Sequence, residues 1–464
     1  MFTSEVYADR RRRLRAGLKD QRGLLLFLGN EESPMNYPDN CFHFRQDSTF
    51  LYFLGVDQPG FAGVMDLEEG TTTLFADDLS LDAIVWMGPQ PSVADQAARA
   101  GISASAPATR LLEVVAQARA QGRPIHFLPP YRPQNRLRLL ELLGTPAARQ
   151  GAEASTAFVQ AVINLRIHKS PEEVAEIERA VNTTVEMHVG AMALARPGMM
   201  ESEIAARVQE IAAAAGGQLS FPIIATVHGE TLHNHYHGHR LESGQLFLLD
   251  AGAESPSHYA GDLTSTFPVD PTFTPQQREV YDIVLSAHLA AVAALQPGAR
   301  FQDVHRMACR TLAEGLKGLG LMKGDLDEAV AQGAHAMFFQ CGLGHMMGLD
   351  VHDMEDLGEV WVGHEGAPKS TQFGLKSLRL ARALQPGFVF TVEPGLYFIP
   401  ELMDRWRAEN RFAEFIDYRR LESYRHFGGI RIEEDFLMTE DGARLLGRRK
   451  PRTVAEVEAQ RVLG

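Results

Sequence analysis

Residues 246–267 read LFLLDAGAESPSHYAGDLTSTF and hold the two carboxylates around which the rest of the chain can be arranged. An apolar run ends at Asp250, and Asp262 follows twelve positions later. The segment between them is able to turn the chain back, so two adjacent antiparallel strands would place both carboxylates side by side. Two like charges that close repel strongly unless a cation lies between them. The stretch therefore predicts a pair of buried strands that presents two carboxylates to a cation.

A repeated helix start flanks this stretch on both sides. Ser170-Pro171-Glu172-Glu173 places serine at the N-cap, proline at the first helical position and a glutamate that closes a capping box. Thr274-Pro275-Gln276-Gln277 begins a helix in the same way, and the two helices end at Pro197-Gly198 and Pro297-Gly298. A second helix and strand-like sequence follow each of them. The pattern predicts a duplicated helix-helix-sheet unit whose halves face one another across a site. Because Pro-Gly helix ends are common, chance similarity is the alternative.

The first third of the chain has a different pattern, in which short strands alternate with helices. We expect strands at residues 24–28, 61–66 and 71–75 and helices at 93–100 and 110–121. The whole chain is therefore expected to be an α/β (α+β) protein. Its N-terminal mixed α/β domain would span residues 1–165, and the domain with the duplication would span 166–464.

Three further residues stand where strands end or where backbones come close. His345 follows Gly342-Leu343-Gly344, Glu393 closes the apolar run 388–392, and Glu433 lies in strand-like sequence. Each alone has an ordinary explanation as a turn, cap or satisfied polar residue. Together with the two strand-end aspartates they offer four carboxylates and one imidazole, which suit manganese, cobalt or zinc. Two such ions about 3.5–4 Å apart can share carboxylates and hold a hydroxide between them.

Five segments resemble, in the same order, the pita-bread metallopeptidases that include prolidase and aminopeptidase P. They are Leu249-Asp250-Ala251-Gly252, Gly261-Asp262-Leu263-Thr264, Gly342-Leu343-Gly344-His345 with residues 348–353, Thr391-Val392-Glu393-Pro394-Gly395, and residues 429–435. Residues 44–48 and 50–55 resemble the N-terminal domain of aminopeptidase P and prolidase. Residues 397–403 and the long insert before Gly428 resemble prolidase most.

The resemblance implies a pair of metal ions. Asp250 and Asp262 would bind one ion, Asp262, His345 and Glu393 would bind the other, and Glu433 would bridge them. Mn²⁺ is the expected metal, with Co²⁺ and Zn²⁺ as alternatives. The implied reaction is hydrolysis of the peptide bond that precedes proline, by a hydroxide held between the ions.

The resemblance also implies roles for residues around the metals. His235 and His352 would steady the substrate carbonyl and the tetrahedral intermediate. Glu393 would carry a proton from the attacking water to the leaving proline nitrogen, and Arg431 would orient the ligands.

His235 belongs to a run of five histidines, which leaves its assignment open. The run comprises His228, His233, His235, His237 and His239. A zinc site made by the run itself is one alternative, and a shift of alignment to His237 is another. The chain also departs from the family at Cys341, where many relatives carry a histidine. A thiol packs well but does not replace the charge or hydrogen bonds of an imidazole.

Arg379 bears on the choice between two peptidase activities. It matches the position at which prolidases hold the carboxylate of a dipeptide, and arginine suits that task through a bidentate ion pair. A surface arginine is the plain alternative. With the prolidase-like insert, Arg379 favours an Xaa-Pro dipeptidase, and aminopeptidase P acting on longer peptides is the alternative. A binding protein that has lost the chemistry is disfavoured because all five ligand positions are occupied. Hydrolysis of organophosphate esters would be a side activity of the same site.

Composition limits the partners and the compartment. The formal charge of −14 argues against nucleic acid and anionic membranes. The three cysteines show no zinc spacing and, with no recognisable signal peptide, favour the cytoplasm. The arginines from Arg10 to Arg15 are expected on a solvated helix face. The family resemblance adds a homodimer in which the N-terminal domain of one subunit lies near the site of the other.

Overall fold

The computed structural model describes residues 2–462 and divides into two units. The first unit runs to Arg166 and also includes residues 356–358, and the second holds the remainder from Ile167 onward. The division after Arg166 lies next to the boundary expected from the sequence.

The first unit is built on a five-stranded mixed sheet. Its elements are α1 (Ser4–Gly17), β1 (Leu24–Leu28), α2 (Ser48–Leu54), β2 (Ala62–Asp66), β3 (Thr72–Phe75), α3 (Leu81–Met87), α4 (Val93–Arg99), β4 (Ala104–Ala106), α5 (Arg110–Ala120), β5 (Ile125–His126), α6 (Pro133–Leu143), α7 (Ala147–Glu153) and α8 (Thr156–Arg166). The strand order is β4-β3-β2-β1-β5, with β3–β4 and β1–β5 parallel and the other pairs antiparallel. Leu26, Val64 and Val115 are among the apolar side chains that pack α5 against the sheet.

The prediction that Arg10 to Arg15 form a solvated face was wrong for two of these arginines. Arg10 and Arg11 are buried. A guanidinium nitrogen of Arg10 donates to the carbonyl oxygen of Tyr52 at 3.1 Å, and one of Arg11 donates to that of Phe53 at 2.8 Å. These carbonyls belong to the last turn of α2, where backbone oxygens have no partner within the helix and attract cations. The arginines therefore cap a buried helix end.

The second unit contains two copies of one arrangement of helices and strands. Its elements are α9 (Pro171–Leu194), α10 (Glu201–Ala214), β6 (Ile224–Thr226), β7 (Leu246–Ala251), β8 (Leu263–Pro268), α11 (Pro275–Ala293), α12 (Phe301–Gly318), α13 (Leu326–Gln332), α14 (Glu359–His364), β9 (Val389–Val392), β10 (Gly395–Tyr397), α15 (Pro400–Ala408), α16 (Tyr418–Leu421), β11 (Gly429–Arg431), β12 (Glu434–Thr439), β13 (Gly442–Leu445) and α17 (Val454–Val462). Three short 3-10 helices add to these, Ala334–Met337, Leu375–Ser377 and Glu422–Tyr424, and a fourth, Glu355–Leu357, includes residues that belong to the first unit.

Each half consists of a packed helix pair and a three-stranded antiparallel sheet. Helices α9 and α10 precede the sheet β6-β7-β8, and α11 and α12 precede the sheet β13-β12-β9. Both first helices begin with the capping box expected from the sequence, at Ser170 and at Thr274. Strands β10 and β11 form a separate pair. The halves meet where the threonine hydroxyl of Thr266 on β8 donates to the carbonyl oxygen of Arg431 on β11 at 3.0 Å.

The stretch 429–435 is interrupted, although its sequence suggested one strand. Strand β11 pairs with β10, whereas β12 pairs with β9, so the chain changes partners at Ile432 and Glu433. There the amide of Glu433 donates to the carbonyl oxygen of Thr264 at 3.2 Å. This change of sheet is what brings the Glu433 carboxylate beside β8.

Candidate metal centre

Two carboxylates project from the ends of β7 and β8. The strands are antiparallel, as expected, and Asp250 stands opposite Thr264. Asp262 immediately precedes β8, and its amide donates to Oδ2 of Asp435 at 3.1 Å. Every residue of β7 and β8 is buried, so the apolar sequence fixes the strands within the protein and carries both carboxylates in with them.

The other half of the unit delivers His345 and Glu393 by a close backbone crossing. The amide of Thr391 donates to the carbonyl oxygen of His345 at 3.0 Å, and the amide of Glu393 donates to that of Leu343 at 2.7 Å. Gly344 lies between these contacts. A Cβ atom at Gly344 would stand 2.1 Å from the carbonyl oxygen of Thr391, so only glycine permits the crossing.

The ligand atoms converge in a buried cluster. Nε2 of His345 lies 3.3 Å from Oδ2 of Asp262 and 3.7 Å from Oε1 of Glu393. Candidate ligand atoms of Asp262, His345 and Glu433 all lie within 4.8 Å of one another. Nδ1 of His345 lies 3.1 Å from the carbonyl oxygen of Met346. A proton on Nδ1 satisfies that bond and leaves the lone pair of Nε2 directed at the carboxylates.

Burial and mutual repulsion disfavour the charged form of these carboxylates. The pKa of Asp262 is raised well above its ordinary value by burial and by the charges of Asp250, Asp435 and Glu393. Burial likewise raises the pKa values of Glu393 and Glu433, and neighbouring carboxylates add to the effect. In the absence of added positive charge the cluster therefore holds protons that free carboxylates would release.

Arg431 supplies positive charge to one side of the cluster. Its guanidinium forms an ion pair with Oδ2 of Asp250. It also donates from Nε to the hydroxyl of Thr264 at 3.0 Å and from another nitrogen to the hydroxyl of Tyr397 at 2.8 Å. The side chain is thus fixed by three partners and in turn orients Asp250. This is the arrangement expected for a group that supports metal ligands without binding the metal itself.

The arrangement fits divalent metal ions. Four carboxylates face one guanidinium, and Oδ1 of Asp262 is buried with no hydrogen-bond partner among residues 2–462. An unsatisfied buried oxygen is costly unless a cation or proton binds it. Oxygen ligands with one imidazole nitrogen suit ions such as Mn²⁺, Co²⁺ and Zn²⁺.

The cluster opens into a pocket of about 290 Å³. Its lining includes Asp250, Asp262, His345, Glu393, Arg431 and Glu433, together with His233, His235, Cys341, His352 and Arg379. Apolar side chains such as Phe221, Ile224 and Leu232 complete the wall. All nine site residues predicted from the sequence therefore line one pocket.

Comparison with known proteins decides the family. The model of metallopeptidase family M24 matches residues 175–440, and that of the aminopeptidase P N-terminal domain matches residues 7–126. The human Xaa-Pro dipeptidase is 32% identical, over 96% of this chain and 90% of its own. The Xaa-Pro aminopeptidase of Escherichia coli K12 is 31% identical, over 99% of this chain and 98% of its own.

The chain belongs to metallopeptidase family M24.

Solved structures agree with this membership over the whole chain. The aminopeptidase PepP of Pseudomonas aeruginosa superposes with a TM-score of 0.83 at 25% identity, covering 100% of this chain and 98% of its own. Aminopeptidase P of Escherichia coli gives 0.82 at 29% identity, with 100% and 99% covered. The resemblance and the fold class inferred from the sequence are thus confirmed. Family M24 implies divalent metal ions as cofactors.

Within residues 228–239, all of which the structure describes, no three histidines of the run come together as a metal-ligating group, although the rings of His228 and His239 lie 4.5 Å apart between centres. His235 lines the pocket as predicted, and so does His233, which the sequence analysis did not select. Burial lowers the pKa of His233, and the charges of Arg431 and Asp250 act on it as well. The alternative residue His237 is engaged elsewhere, with Nε2 3.1 Å from the carbonyl oxygen of Ile223. His233 and His235 are therefore both candidates for the residue that would steady the substrate carbonyl.

His352 and Arg379 share the carboxylate of Glu355. Nδ1 of His352 lies 2.6 Å from Oε2 of Glu355, and the two imidazoles of His352 and His345 meet at 4.2 Å between ring centres. Burial lowers the pKa of His352 to about 4, and the hydrogen bond from His352 lowers the pKa of Glu355 to about 2. Nε of Arg379 lies 3.1 Å from Glu359 and 3.6 Å from Glu355.

Cys341 lines the pocket as a neutral thiol. Its sulfur lies 3.9 Å from the hydroxyl of Tyr397, and burial raises its pKa to about 12. A thiol in this state offers neither charge nor a strong hydrogen bond to a substrate.

Among residues 2–462, no helix has the length and apolar character needed to cross a membrane.

Proposed function

We propose that this M24 enzyme hydrolyses the peptide bond preceding proline, with Xaa-Pro dipeptides as its substrates. The observation that carries the proposal is the position of Arg379 in the same pocket as the carboxylate cluster. An enzyme that cuts one bond before the C-terminal residue must recognise a free carboxylate close to the reacting carbonyl. A guanidinium in the metal pocket meets that need through charge and paired donors.

Five residues are proposed to hold two ions. Asp250 and Asp262 would bind one, Asp262, His345 and Glu393 the other, and Glu433 would bridge them, with Mn²⁺ as the expected metal. The support is the unsatisfied oxygen of Asp262 and the convergence of Asp262, His345 and Glu433. Bound ions supply an activated water and polarise the substrate carbonyl.

The protein's own groups would orient the substrate and move the proton. Glu355 accepts from Nδ1 of His352, so it favours the doubly protonated ring when negative charge develops on the substrate oxygen beside Nε2. His352 can then donate to the substrate oxygen, as would His235 or His233 from the opposite loop. Glu393, whose carboxylate lines the pocket 3.7 Å from Nε2 of His345, would take a proton from water and pass it to the leaving nitrogen. Arg431 would hold Asp250 in place.

Arg379 would select substrates by their length. Glu359 and Glu355 lie within ion-pair distance of the Nε of its guanidinium but do not hydrogen-bond to it, and their charge attracts the side chain while it lines the pocket. A guanidinium carries five N–H donors, so others are left for a substrate carboxylate. Its side chain is 33% exposed, which makes it accessible from the pocket.

Aminopeptidase P activity is the second candidate. It is favoured by the near-complete mutual coverage with the Xaa-Pro aminopeptidase of Escherichia coli, whereas 90% of the human dipeptidase is covered. Neither Cys341 nor Arg379 is a proposed metal ligand, so the dipeptidase and the aminopeptidase would share the same metal chemistry. The two candidate activities differ only in the substrate that is accepted.

A comparison of Ala-Pro with Ala-Pro-Ala as substrates, in the presence of Mn²⁺, distinguishes the candidates. The dipeptidase hypothesis predicts a higher kcat/KM for Ala-Pro. A preference for Ala-Pro-Ala would establish the aminopeptidase instead. Failure to cleave either substrate after metal loading would contradict both.

We also propose a homodimer in a reducing compartment, the cytoplasm. Leu81, Val85 and Trp86 on α3 are 82%, 78% and 85% exposed, which is unusual for apolar side chains unless another surface covers them. The three cysteines are free thiols. Light scattering should give twice the chain mass of 51.2 kDa. A monomer at working concentration would contradict the dimer.

A further inference from the structure

A second buried group of metal-ligating side chains lies outside the catalytic pocket. His305 and Cys309 are four residues apart on α12 and therefore share one face of that helix. His335 belongs to the 3-10 helix Ala334–Met337. All three are buried, and candidate ligand atoms of the three lie within 4.8 Å of one another. We call them the His-Cys cluster.

Ring nitrogens of the cluster are left without hydrogen bonds. Nδ1 of His305 and both ring nitrogens of His335 make none of good geometry within the described residues 2–462, although His335 is only 5% exposed and a ring nitrogen of it approaches the backbone of Val330. A buried polar atom without a partner costs about 1–3 kcal/mol. A group that hydrogen-bonds to these nitrogens, or a metal ion that binds them, would therefore stabilise the fold.

The spacing of the first two residues already matches a tetrahedral metal site. The sulfur of Cys309 lies 3.5 Å from Nε2 of His305. Zinc bonds of about 2.0–2.1 Å to nitrogen and about 2.3 Å to sulfur place two tetrahedral ligands about 3.6 Å apart. The pair needs almost no movement to share one ion.

We propose that His305, Cys309 and His335 bind a zinc-like divalent ion as a structural site with two imidazoles and one thiolate. Imidazole and thiolate ligands favour borderline ions such as Zn²⁺ over Mg²⁺ or Ca²⁺. On binding, the Cys309 thiol loses its proton to water and the sulfur forms the bond to the ion. The site is independent of the substrate proposed for the catalytic pocket.

The surroundings allow an ion to enter and to complete its coordination. The three residues line a cleft of about 560 Å³ whose wall also includes Asp327 and Gln372. Water can fill the fourth position. Burial lowers the pKa of His305 to about 3 and that of His335 to about 4, so protons on the rings do not compete with an ion near neutral pH, whereas burial raises the pKa of Cys309, whose proton the ion has to displace.

The site would fasten a segment that leads into the catalytic pocket. His335 precedes His345 by ten residues. Between them the carbonyl oxygen of Phe338 accepts from the amide of Tyr397, whose hydroxyl accepts from Arg431. An ion that joins His335 to α12 therefore restrains the chain that carries a catalytic ligand.

Titration of the metal-free full-length protein with Co²⁺ tests the proposal. A thiolate bound to Co²⁺ gives a charge-transfer band in the near ultraviolet, and the ligands proposed for the catalytic centre include no thiolate. We expect the final intensity of this band in the wild type to correspond to one thiolate-bound Co²⁺ per chain, in addition to the two ions proposed for the catalytic centre, and we expect the band to be absent in Cys309→Ala. Cys341→Ala, which removes the thiol of the catalytic pocket, is the matched control and should keep the band.

The outcomes separate the His-Cys cluster from other thiols. Absence of the band in the wild type with excess Co²⁺ overturns the proposal, and so does a band that survives in Cys309→Ala. His335→Gln guards against a misfolded Cys309 variant: it keeps the thiol, and should weaken Co²⁺ binding at this site by at least tenfold. Unchanged affinity in a folded His335→Gln would also overturn the proposal.

Discussion

The catalytic cluster and the His-Cys cluster are both buried, yet they differ in what they are without metal. Asp262, Glu393 and Glu433 are acids whose pKa values are raised, because burial and their mutual repulsion disfavour the charged forms. His305 and His335 have lowered pKa values and stay neutral. Neutral rings can be buried at the cost of lost hydrogen bonds, whereas buried like charges demand a counter-charge. The fold can therefore close around the second cluster without metal, whereas the first needs either bound protons or cations.

Asp262→Asn should separate the clusters most sharply. The amide cannot replace a charged ligand assigned to both catalytic ions, so peptidase activity should fall at least about a thousandfold, equivalent to several kcal/mol. Metal analysis should show loss of the catalytic ions, while the Co²⁺–thiolate band of the His-Cys cluster remains. Asp441→Asn, an exposed acid in the β12–β13 turn, is the control and should keep full activity. Normal activity in Asp262→Asn would refute the ligand assignment.

Arg379→Ala should change the choice of substrate at the catalytic cluster. Loss of a charged hydrogen bond costs roughly 1.5–3 kcal/mol, so kcat/KM for Ala-Pro should fall about ten- to hundredfold. Cleavage of Ala-Pro-Ala should change little, because its carboxylate lies farther from the cut bond.

The control for Arg379 removes a positive charge nearby without touching the pocket. Lys376→Ala is suitable because Lys376 is exposed on the same segment. It should leave both substrates unaffected. If Arg379→Ala slows both substrates equally and the metal content is normal, the arginine does not select for the dipeptide.

The stabilisation given by metal should grow with pH. Because burial raises the folded-state pKa values of Asp262, Glu393 and Glu433, their contribution to stability is present below the unfolded values and is lost as pH rises through the raised ones. Bound Mn²⁺ removes this loss. For each proton that the metal displaces from the cluster, the increase in the free energy of unfolding caused by metal binding grows by about 1.4 kcal/mol per pH unit. Urea unfolding with and without Mn²⁺ at pH 5, 6 and 7 measures the trend, and an equal effect at all three values would count against it.

The His-Cys cluster should give the opposite slope in the metal-free protein. Its histidines have folded pKa values below the unfolded value, so their contribution is present above about pH 6.5 and is lost as pH falls toward 4 and 3. His335→Leu should reduce the loss of stability between pH 7 and 5.5 by about 1 kcal/mol. The measurement is metal-free urea unfolding at both pH values. The same acid loss in wild type and variant would show that His335 does not titrate this way.

The features that could be predicted from the sequence are those that depend on residues close together in the chain. The capping boxes at Ser170 and Thr274 depend on residues three positions apart, and both helices begin where the pattern placed them. The strand carrying Asp250 was visible because an apolar run stops at a charge. These features need no knowledge of distant contacts.

Features that depend on distant partners escaped the sequence. Arg10 and Arg11 are buried because the end of α2, some forty residues later, offers free carbonyls. His233 lines the pocket together with His235, which the spacing within the run could not indicate. Cys309 was judged to lack zinc spacing, since one partner, His335, follows it by 26 positions and is brought near by a turn of the chain.

Gly344 has a consequence for how much variation this enzyme can absorb. A position that contributes no side chain governs whether an imidazole reaches its acids, because any larger residue would push the crossing strands apart. In a library that samples all twenty amino acids at 344, active clones should carry glycine alone, whereas a library at exposed Asp441 should return nearly every residue. The tolerance of the catalytic centre to mutation is thus set in part by the absence of a Cβ atom at Gly344, next to the ligand His345.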